Sequence, residues 1–371
     1  DNYGDIGVCW RLAKQLAHEH GITVRLWVDD LASFRKLCPQ INSALSAQHY
    51  RAVEIRHWVT PFPDVEPAHW VIEAFACELP ASYVVAMAAQ KRKPVWINLE
   101  YLSAETWVAG CHRLPSPHPS LPLLKYFFFP GFTSATGGLL LERDLLARRY
   151  VFQRDSTVLW QKLAVPLPQT NEVRVSLFCY ENPALPELLW AWETGEIPVM
   201  CLVPEGRALP QVAAFFGQNT VVGAALRRGN LQVRVLPFME QERYDELLWA
   251  CDINFVRGED SWVRAQWAGQ PFVWHIYPQH DNVHLQKLRA FMALYENGLP
   301  PAAAQALQSL WECWNSGKSA DTALGQAWPD FLAHRVVLKT HGRAWAQQLS
   351  GNSLAVNILN FSREIAGESE N

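Results

Sequence analysis

The order of apolar runs in this chain predicts an α/β protein of two Rossmann-like halves facing one another across a cleft. Three observations carry the prediction. Short, mostly apolar runs such as WVIEAF, PVWINL and PFVWHIY look like parallel strands buried on both faces, and they alternate with stretches of helical periodicity. The alternation lapses over the proline-bearing stretch 163–170 and then restarts, which divides 371 residues into two domains. Each half also carries carboxylates in a glycine-bearing turn at a strand end, the edge at which open α/β sheets bind ligands.

The chain opens DNYGDIGVCWRLAKQLAHEH. Asn2, Gly4 and Gly7 read as a turn-rich loop. Ile6, Trp10, Leu12, Ala13, Leu16 and Ala17 then recur at helical spacing, and Gly21 ends that helix. The run ITVRLWV follows as a strand and stops at Asp29 and Asp30. Loop, helix and strand in this order continue a doubly wound unit, so a short strand is expected upstream of Asp1, where the chain starts without Met. A short helix is expected over 31–37, strands over 52–58, 70–75 and 94–99, and a helix over 80–90. Residues 113–130 carry Pro115, Pro117, Pro119 and Pro122 and read as loop, ahead of YFFFPGF and a helix over 145–152.

Past the linker, strands are expected over 174–179, 197–203 and 231–236, and helices over 186–194, 211–216 and 241–250. The stretch CDINFVRGEDSWVRAQWAGQPFVWHIYPQ, residues 251–279, then reads as strand, tight turn, helix and strand, one right-handed crossover of a parallel sheet. Ser261 suits its helix as N-cap and Gly269 as its stop. Helices over 282–295, 302–314, 330–348 and 354–365 close the chain. The predicted domains are 1–165, with the helix in 350–371 packing back on it, and 171–349.

Composition excludes several classes of function. With 49% hydrophobic and 18% charged residues the chain is globular. A net charge of −4 without a basic block argues against a nucleic-acid partner. No run of eighteen apolar residues offers a membrane span. The eight cysteines form no C-x-x-C pair and lie largely in apolar runs, as buried thiols of a cytoplasmic protein do. Most of the 17 tryptophans belong to the core, leaving a few for base stacking or an interface. His280 and His284 stand four apart, but the glutamate of a zinc helix is absent, so no metal is expected.

The chemistry concentrates in two turns. Glu259, Asp260 and Ser261 sit where a strand ends and a helix begins, so unbonded backbone N–H groups and a positive dipole end are available there for a diphosphate. Two carboxylates would repel phosphate. They make better sense if one binds a sugar hydroxyl or faces a cationic acceptor. The plainer reading is that Asp260 and Ser261 cap the helix while Glu259 is solvated. Asp1 and Asp5 stand four apart beside the opening glycines, where helix capping explains one of them well but not both. The opening loop is neither a G-x-G-x-x-G fingerprint nor a P-loop.

These features resemble the GT-B class of glycosyltransferases. More narrowly, DNYGDIGVCWRLAKQLA, LPFMEQERYDELLWACDINFVRGEDSWVRAQWAGQPFVWHIYPQ and HLQKLRAF resemble the bacterial protein-arginine rhamnosyltransferases that modify translation elongation factor P, the EarP family, along essentially the whole chain. The resemblance implies a GT-B fold and transfer of rhamnose from dTDP-rhamnose to one arginine of elongation factor P, with inversion. It implies no cofactor and no metal. The implied acceptor is the amino-terminal domain of elongation factor P, with an arginine at a loop tip. It places the catalytic carboxylates at Asp1, Asp5 and Glu259. The nucleotide-sugar pocket falls on Phe178, Tyr180, Phe238, Gln241, Arg257, Asp260, Ser261 and Tyr277, and leaves open which of Phe178 and Tyr180 contacts thymine. Arg257 is the natural cation for the leaving diphosphate, unless a neighbouring carboxylate engages it as an ion pair. Two other readings stay open on the residues alone: a GT-B transferase using another nucleotide sugar on a small acceptor, and a non-catalytic protein-binding module. Thermal shift against a panel of nucleotide sugars separates them.

Overall fold

The computed structural model describes residues 3–279, 283–316 and 323–367. Asp1 and His280, two of the residues singled out by sequence, lie outside the described residues. The chain divides into two compact units, Asp1–Arg143 with Leu349–Asn371, and Asp144–Gln348.

The first unit runs α1 (Tyr3–His20), β1 (Val24–Val28), α2 (Leu31–Leu37), β2 (Ala47–Tyr50), β3 (Val53–His57), β4 (Trp70–Ala74), α3 (Ala81–Ala89), β5 (Val95–Leu99), α4 (Val108–Cys111), β6 (Pro115–Pro117) and β7 (Leu124–Phe128), and takes back the last helix of the chain, α15 (Leu354–Ala366). Its strands form two sheets, ordered β1-β3-β2 and β4-β5-β7-β6. The inner pairings are parallel, while β2 and β6 are antiparallel edges. Every residue of β5 is buried, as a central parallel strand covered on both faces requires. On one face Val8, Leu12 and Leu16 of α1 share a core with Ile97, Leu99, Phe128 and the α15 residues Leu354, Ile358 and Phe361. On the other, Trp96 packs with Tyr83 and Met87. The return of α15 is fastened by Leu354 N–H donating to the Leu139 carbonyl at 2.9 Å and by Asn357 Nδ2 donating to Gly137 at 3.0 Å.

The second unit runs α5 (Leu145–Phe152), α6 (Thr157–Lys162), β8 (Val173–Leu177), α7 (Leu185–Thr194), β9 (Val199–Pro204), α8 (Leu209–Phe216), β10 (Ala225–Arg228), β11 (Leu231–Leu236), α9 (Gln241–Ala250), β12 (Ile253–Arg257), α10 (Asp260–Ala268), β13 (Phe272–His275), α11 (Val283–Tyr295), α12 (Pro301–Asn315), α13 (Ala323–Ala333) and α14 (Arg335–Leu349). One sheet of order β10-β11-β9-β8-β12-β13 organises it, parallel except for the edge strand β10. From β8 the chain winds outward through β9 and β11, then returns to β8's other side for β12 and β13. The strand order therefore reverses between β8 and β12, the place in an open α/β sheet at whose carboxyl ends ligands bind.

Several expectations change. The first helix begins at Tyr3, so Gly4 and Gly7 are helical and not loop; neither has a positive φ, and Gly7 is buried, where a small residue lets the helix pack closely. Helices α5 and α6, assigned by sequence to the first half, go with the second unit. Arg149 Nη1 donates to the Trp267 carbonyl at 2.5 Å, Gln153 Nε2 to that of Trp249 at 3.1 Å, and the Arg174 guanidinium lies 4.3 Å over the Trp160 ring. The single helix expected over 330–348 is two, α13 and α14, parted at His334, whose Nδ1 lies 2.8 Å from the Asp330 carbonyl. None of the cysteines is in a disulfide among the described residues, but only Cys38, Cys179, Cys201 and Cys251 are buried; Cys9, Cys111 and Cys313 are half-buried, and Cys77, in the turn after β4, is exposed. No helix among the described residues is long and apolar enough to cross a membrane.

Candidate functional site

In the second unit the carboxyl ends of β8 and β12 bring the predicted pocket residues together. β12 ends at Arg257, and Gly258 turns the chain with φ +63°, where a Cβ would come within 3.2 Å of the Tyr180 hydroxyl. The left-handed conformation favours glycine there, and the nearby Tyr180 hydroxyl leaves little room for a Cβ. The turn is pinned from β13 by Trp274, whose Nε1 donates to the Gly258 carbonyl at 2.9 Å, while its indole stacks on Trp262 of α10 at 3.6 Å.

Helix α10 starts two residues earlier than the sequence suggests. Glu259 is its N-cap, with no capping side-chain bond, and Asp260 opens the helix. Ser261, expected to be the cap, lies inside the first turn and is buried. Its hydroxyl accepts from Arg257 N–H at 3.1 Å and donates to the Arg257 carbonyl. At four residues' separation that hydroxyl folds back onto the end of the strand, a local bond that Ser makes readily. What the helix start presents is its backbone N–H groups, the dipole end and the Glu259 and Asp260 carboxyls.

The Arg257 side chain is 6% exposed, and its guanidinium carbon lies 4.5 Å over the Phe178 ring and 4.6 Å over the Tyr180 ring. It is held as a planar cation between two aromatic residues that follow β8. Burial lowers its pKa, yet a guanidinium keeps its proton in proteins. The Tyr180 ring meets Tyr277 edge-on at 5.3 Å, and Tyr277 is more than half exposed. Phe178 meets Tyr244 of α9 at 5.5 Å. Gln241, the first residue of α9, donates from Nε2 to Asp260 Oδ2 at 3.3 Å, and half-buried Phe238 lies just ahead of it after β11. Aromatic faces, a fixed cation and a helix start are what recognition of a base and a diphosphate requires.

Two supports of this site carry no signal in sequence, and a third carries only part of one. His275 ends β13 and is buried edge-on to Tyr180 at 5.3 Å and Trp314 at 5.6 Å. Burial foremost, then Arg257 and His284, pushes its pKa down to about 3, so it is a neutral neighbour of the arginine. Asp245 and Arg264 form a buried bidentate pair at 2.9 and 2.7 Å that locks α9 to α10, and so sets Gln241 against Asp260. Gly258 is readable as a turn, but its contact with Tyr180 is not.

The first unit supplies Asp5, in the first turn of α1. The Tyr101 hydroxyl donates to Asp5 Oδ2 at 3.3 Å, and the Tyr101 ring lies on Phe75 with centroids 4.8 Å apart. Burial raises the Asp5 pKa and the charge of Asp29 adds to this, while the Tyr101 hydrogen bond acts the other way. A carboxyl shifted upward is the better proton acceptor. Asp1 lies outside the described residues. Among those residues no group of three or more His, Cys, Asp and Glu side chains is gathered as a metal site.

The family model described as elongation-factor P (EF-P) rhamnosyltransferase EarP matches residues 1–363. A protein-arginine rhamnosyltransferase of Pseudomonas putida is 50% identical over 368 residues, spanning 98% of this chain and 96% of the relative. One from Pseudomonas aeruginosa is 47% identical over 365 residues, spanning 97% and 96%. A solved structure concerned with EarP-mediated arginine glycosylation of translation elongation factor EF-P is 39% identical, with a TM-score of 0.69 over 98% of this chain and 96% of that one.

Proposed function

This chain belongs to the EarP family of elongation-factor P rhamnosyltransferases, with a GT-B fold, and we propose that it transfers rhamnose from dTDP-rhamnose to one arginine side chain of elongation factor P in the cytoplasm, inverting the anomeric carbon. The observation that best supports the donor class is the Arg257 guanidinium held between Phe178 and Tyr180 at the reversal point of the sheet. A thymine base stacks on one of these rings or on Phe238. Gln241, Asp260 and Tyr277 hold the polar edges of the nucleotide and sugar. Ser261 contributes through its backbone N–H and by fixing the Arg257 peptide.

A guanidinium keeps its proton to a pKa above about 12 and is a poor nucleophile, so the reaction needs a base at the nitrogen. In the proposed step a guanidinium nitrogen attacks the anomeric carbon. The bond from that carbon to the diphosphate oxygen breaks, and its electron pair leaves with dTDP. The nitrogen's proton passes to the Asp5 carboxylate. One displacement gives one inversion. Asp1 and Glu259 are assigned to orienting the guanidinium or supporting the site, and Arg257 to neutralising charge growing on the leaving diphosphate.

The test incubates the protein with elongation factor P and a panel of nucleotide sugars and reads the acceptor's intact mass and the modified residue. One deoxyhexose on one arginine, from dTDP-rhamnose and not from UDP-glucose or GDP-mannose, is expected. Modification with another sugar, or of free arginine in preference, refutes the assignment. With Arg257 and the start of α10 serving the diphosphate, activity is also expected to survive EDTA. Activity lost to chelation and restored only by magnesium or manganese would contradict that part.

The acceptor is proposed to be recognised as a folded surface, because a lone guanidinium brings little binding energy and the attack needs its geometry fixed. Intact elongation factor P and its isolated amino-terminal domain should react alike, and a linear peptide around the arginine far more slowly, on the order of a hundredfold in kcat/KM. Equal kcat/KM for peptide and domain would mean that local sequence alone is read.

A further inference from the structure

We propose that Tyr101 is a positioning residue for the transfer: its hydroxyl holds Asp5 Oδ2, leaving Oδ1 to take the proton of the acceptor nitrogen. This inference rests on Asp5 being the base. The geometry begins with the backbone on either side of Tyr101. Glu100 N–H donates to the Phe128 carbonyl at 3.0 Å, and its carboxyl accepts from Asn98 Nδ2 at 2.6 Å. Leu102 and Ser103, which follow, are buried. Between these anchors the Tyr101 side chain is 44% exposed, which is unusual for a tyrosine in so fixed a segment.

The ring rests on Phe75, and Phe75 is itself held in an uncommon way. Phe75 and Ala76 have φ of 56° and 57°, left-handed values that non-glycine residues seldom adopt. Such strain persists only where surrounding contacts over-determine it, and here those contacts are visible. Phe75 N–H donates to the Leu99 carbonyl at 2.9 Å, and its ring packs in the core that includes Val8 of α1, one turn along from Asp5. The shelf under Tyr101 and the helix carrying Asp5 are thus parts of one packed body. From that body the Tyr101 hydroxyl donates to the Asp5 carboxylate.

The charged and titratable groups that act on Asp5 among the described residues are Asp29, in the turn after β1, and Tyr101 itself. Asp29 and burial favour the protonated carboxyl, whereas the Tyr101 bond favours the carboxylate. Removing the hydroxyl should therefore raise the Asp5 pKa and leave more of the base protonated at a given pH.

The experiment compares wild type, Tyr101→Phe, Tyr101→Ala and Asp5→Asn on intact elongation factor P and dTDP-rhamnose, with kcat/KM taken across pH and melting temperature recorded for each. Tyr101→Phe keeps the ring on Phe75, so it should fold as wild type, lose about tenfold in kcat as one charge-assisted hydrogen bond is removed, and leave the donor KM unchanged. Its acid limb should move to higher pH. Tyr101→Ala should lose more without a different limb. An unshifted limb and unchanged kcat in Tyr101→Phe, with Asp5→Asn inactive, would overturn the role of Tyr101 alone. An active Asp5→Asn would overturn the assignment of the base beneath it.

Discussion

Asp5→Asn is expected to lower the rate of rhamnosyl transfer by about a thousandfold or more while dTDP-rhamnose binds the variant almost as it binds wild type. The two halves of that result have separate causes. Asn preserves the size and planarity of the side chain and keeps an oxygen in the first turn of α1. It cannot accept a proton from a guanidinium. General-base catalysis is typically worth a hundredfold to ten-thousandfold, and an arginine nucleophile stands at the demanding end because its own pKa is so high. The proposed donor site is built elsewhere in the chain, from Phe178, Tyr180, Arg257 and the start of α10, all in the other compact unit. Calorimetry with dTDP-rhamnose and single-turnover transfer measured side by side separate the two effects. A large loss of donor affinity would place Asp5 in the donor site and end its role as base.

The raised pKa of Asp5 adds a pH signature to the same experiment. A base works only when ionised, so wild-type kcat/KM should fall on the acid side as pH drops through the pKa of Asp5, which is raised from the ordinary aspartate value. The direction follows from burial as the leading cause, reinforced by Asp29. His275 contributes no limb near neutrality, because its pKa is pushed down to about 3.

What could be read from sequence follows burial. β5, β8, β12 and β13 are buried along their whole length, so most of their residues are apolar and they stand out as runs. The edge strands β2, β6 and β10, with sequences AQHY, PSP and ALRR, carry no such signal. Their pairing is dictated by the neighbour that presents an open edge. The opening glycines mislead for a related reason. Gly4 and Gly7 suit a turn as well as a close-packed helix, and only the partner packed against the helix decides. At the site, the strand–glycine–helix turn from Arg257 to Ser261 is legible because its punctuation is local. That Ser261 bonds backward to Arg257 and does not cap the helix follows from a start two residues earlier. Phe178 and Tyr180 enter by family resemblance, and the partnerships Tyr101 with Asp5 and Asp245 with Arg264 are products of tertiary folding between residues 96 and 19 positions apart.

Arg257→Lys is expected to be nearly as damaging as Arg257→Met, with kcat/KM down on the order of a hundredfold to a thousandfold, the range for loss of a preorganised charge at a developing anion. The expectation runs against the view that lysine is a conservative replacement. The arginine is held because its guanidinium is flat. Two rings lie 4.5 and 4.6 Å from its central carbon, and it is almost wholly buried between them. An ammonium is compact, strongly hydrated and unable to stack, so its desolvation in this slot costs more and it can shed its proton where arginine cannot. It also lacks the fork that meets two phosphate oxygens at once. Gly258 and Trp274 should hold the turn in both variants, since the Trp274 Nε1 bond to the Gly258 carbonyl does not involve the arginine side chain. Melting temperatures should accordingly change little beside the kinetics. dTDP binding by calorimetry should weaken in both, because the product carries the same diphosphate. A lysine variant within threefold of wild type would show that a point charge suffices and that the aromatic slot is packing alone. A methionine variant with wild-type kcat would remove Arg257 from the leaving group altogether, and the diphosphate would then depend on the N–H groups at the start of α10.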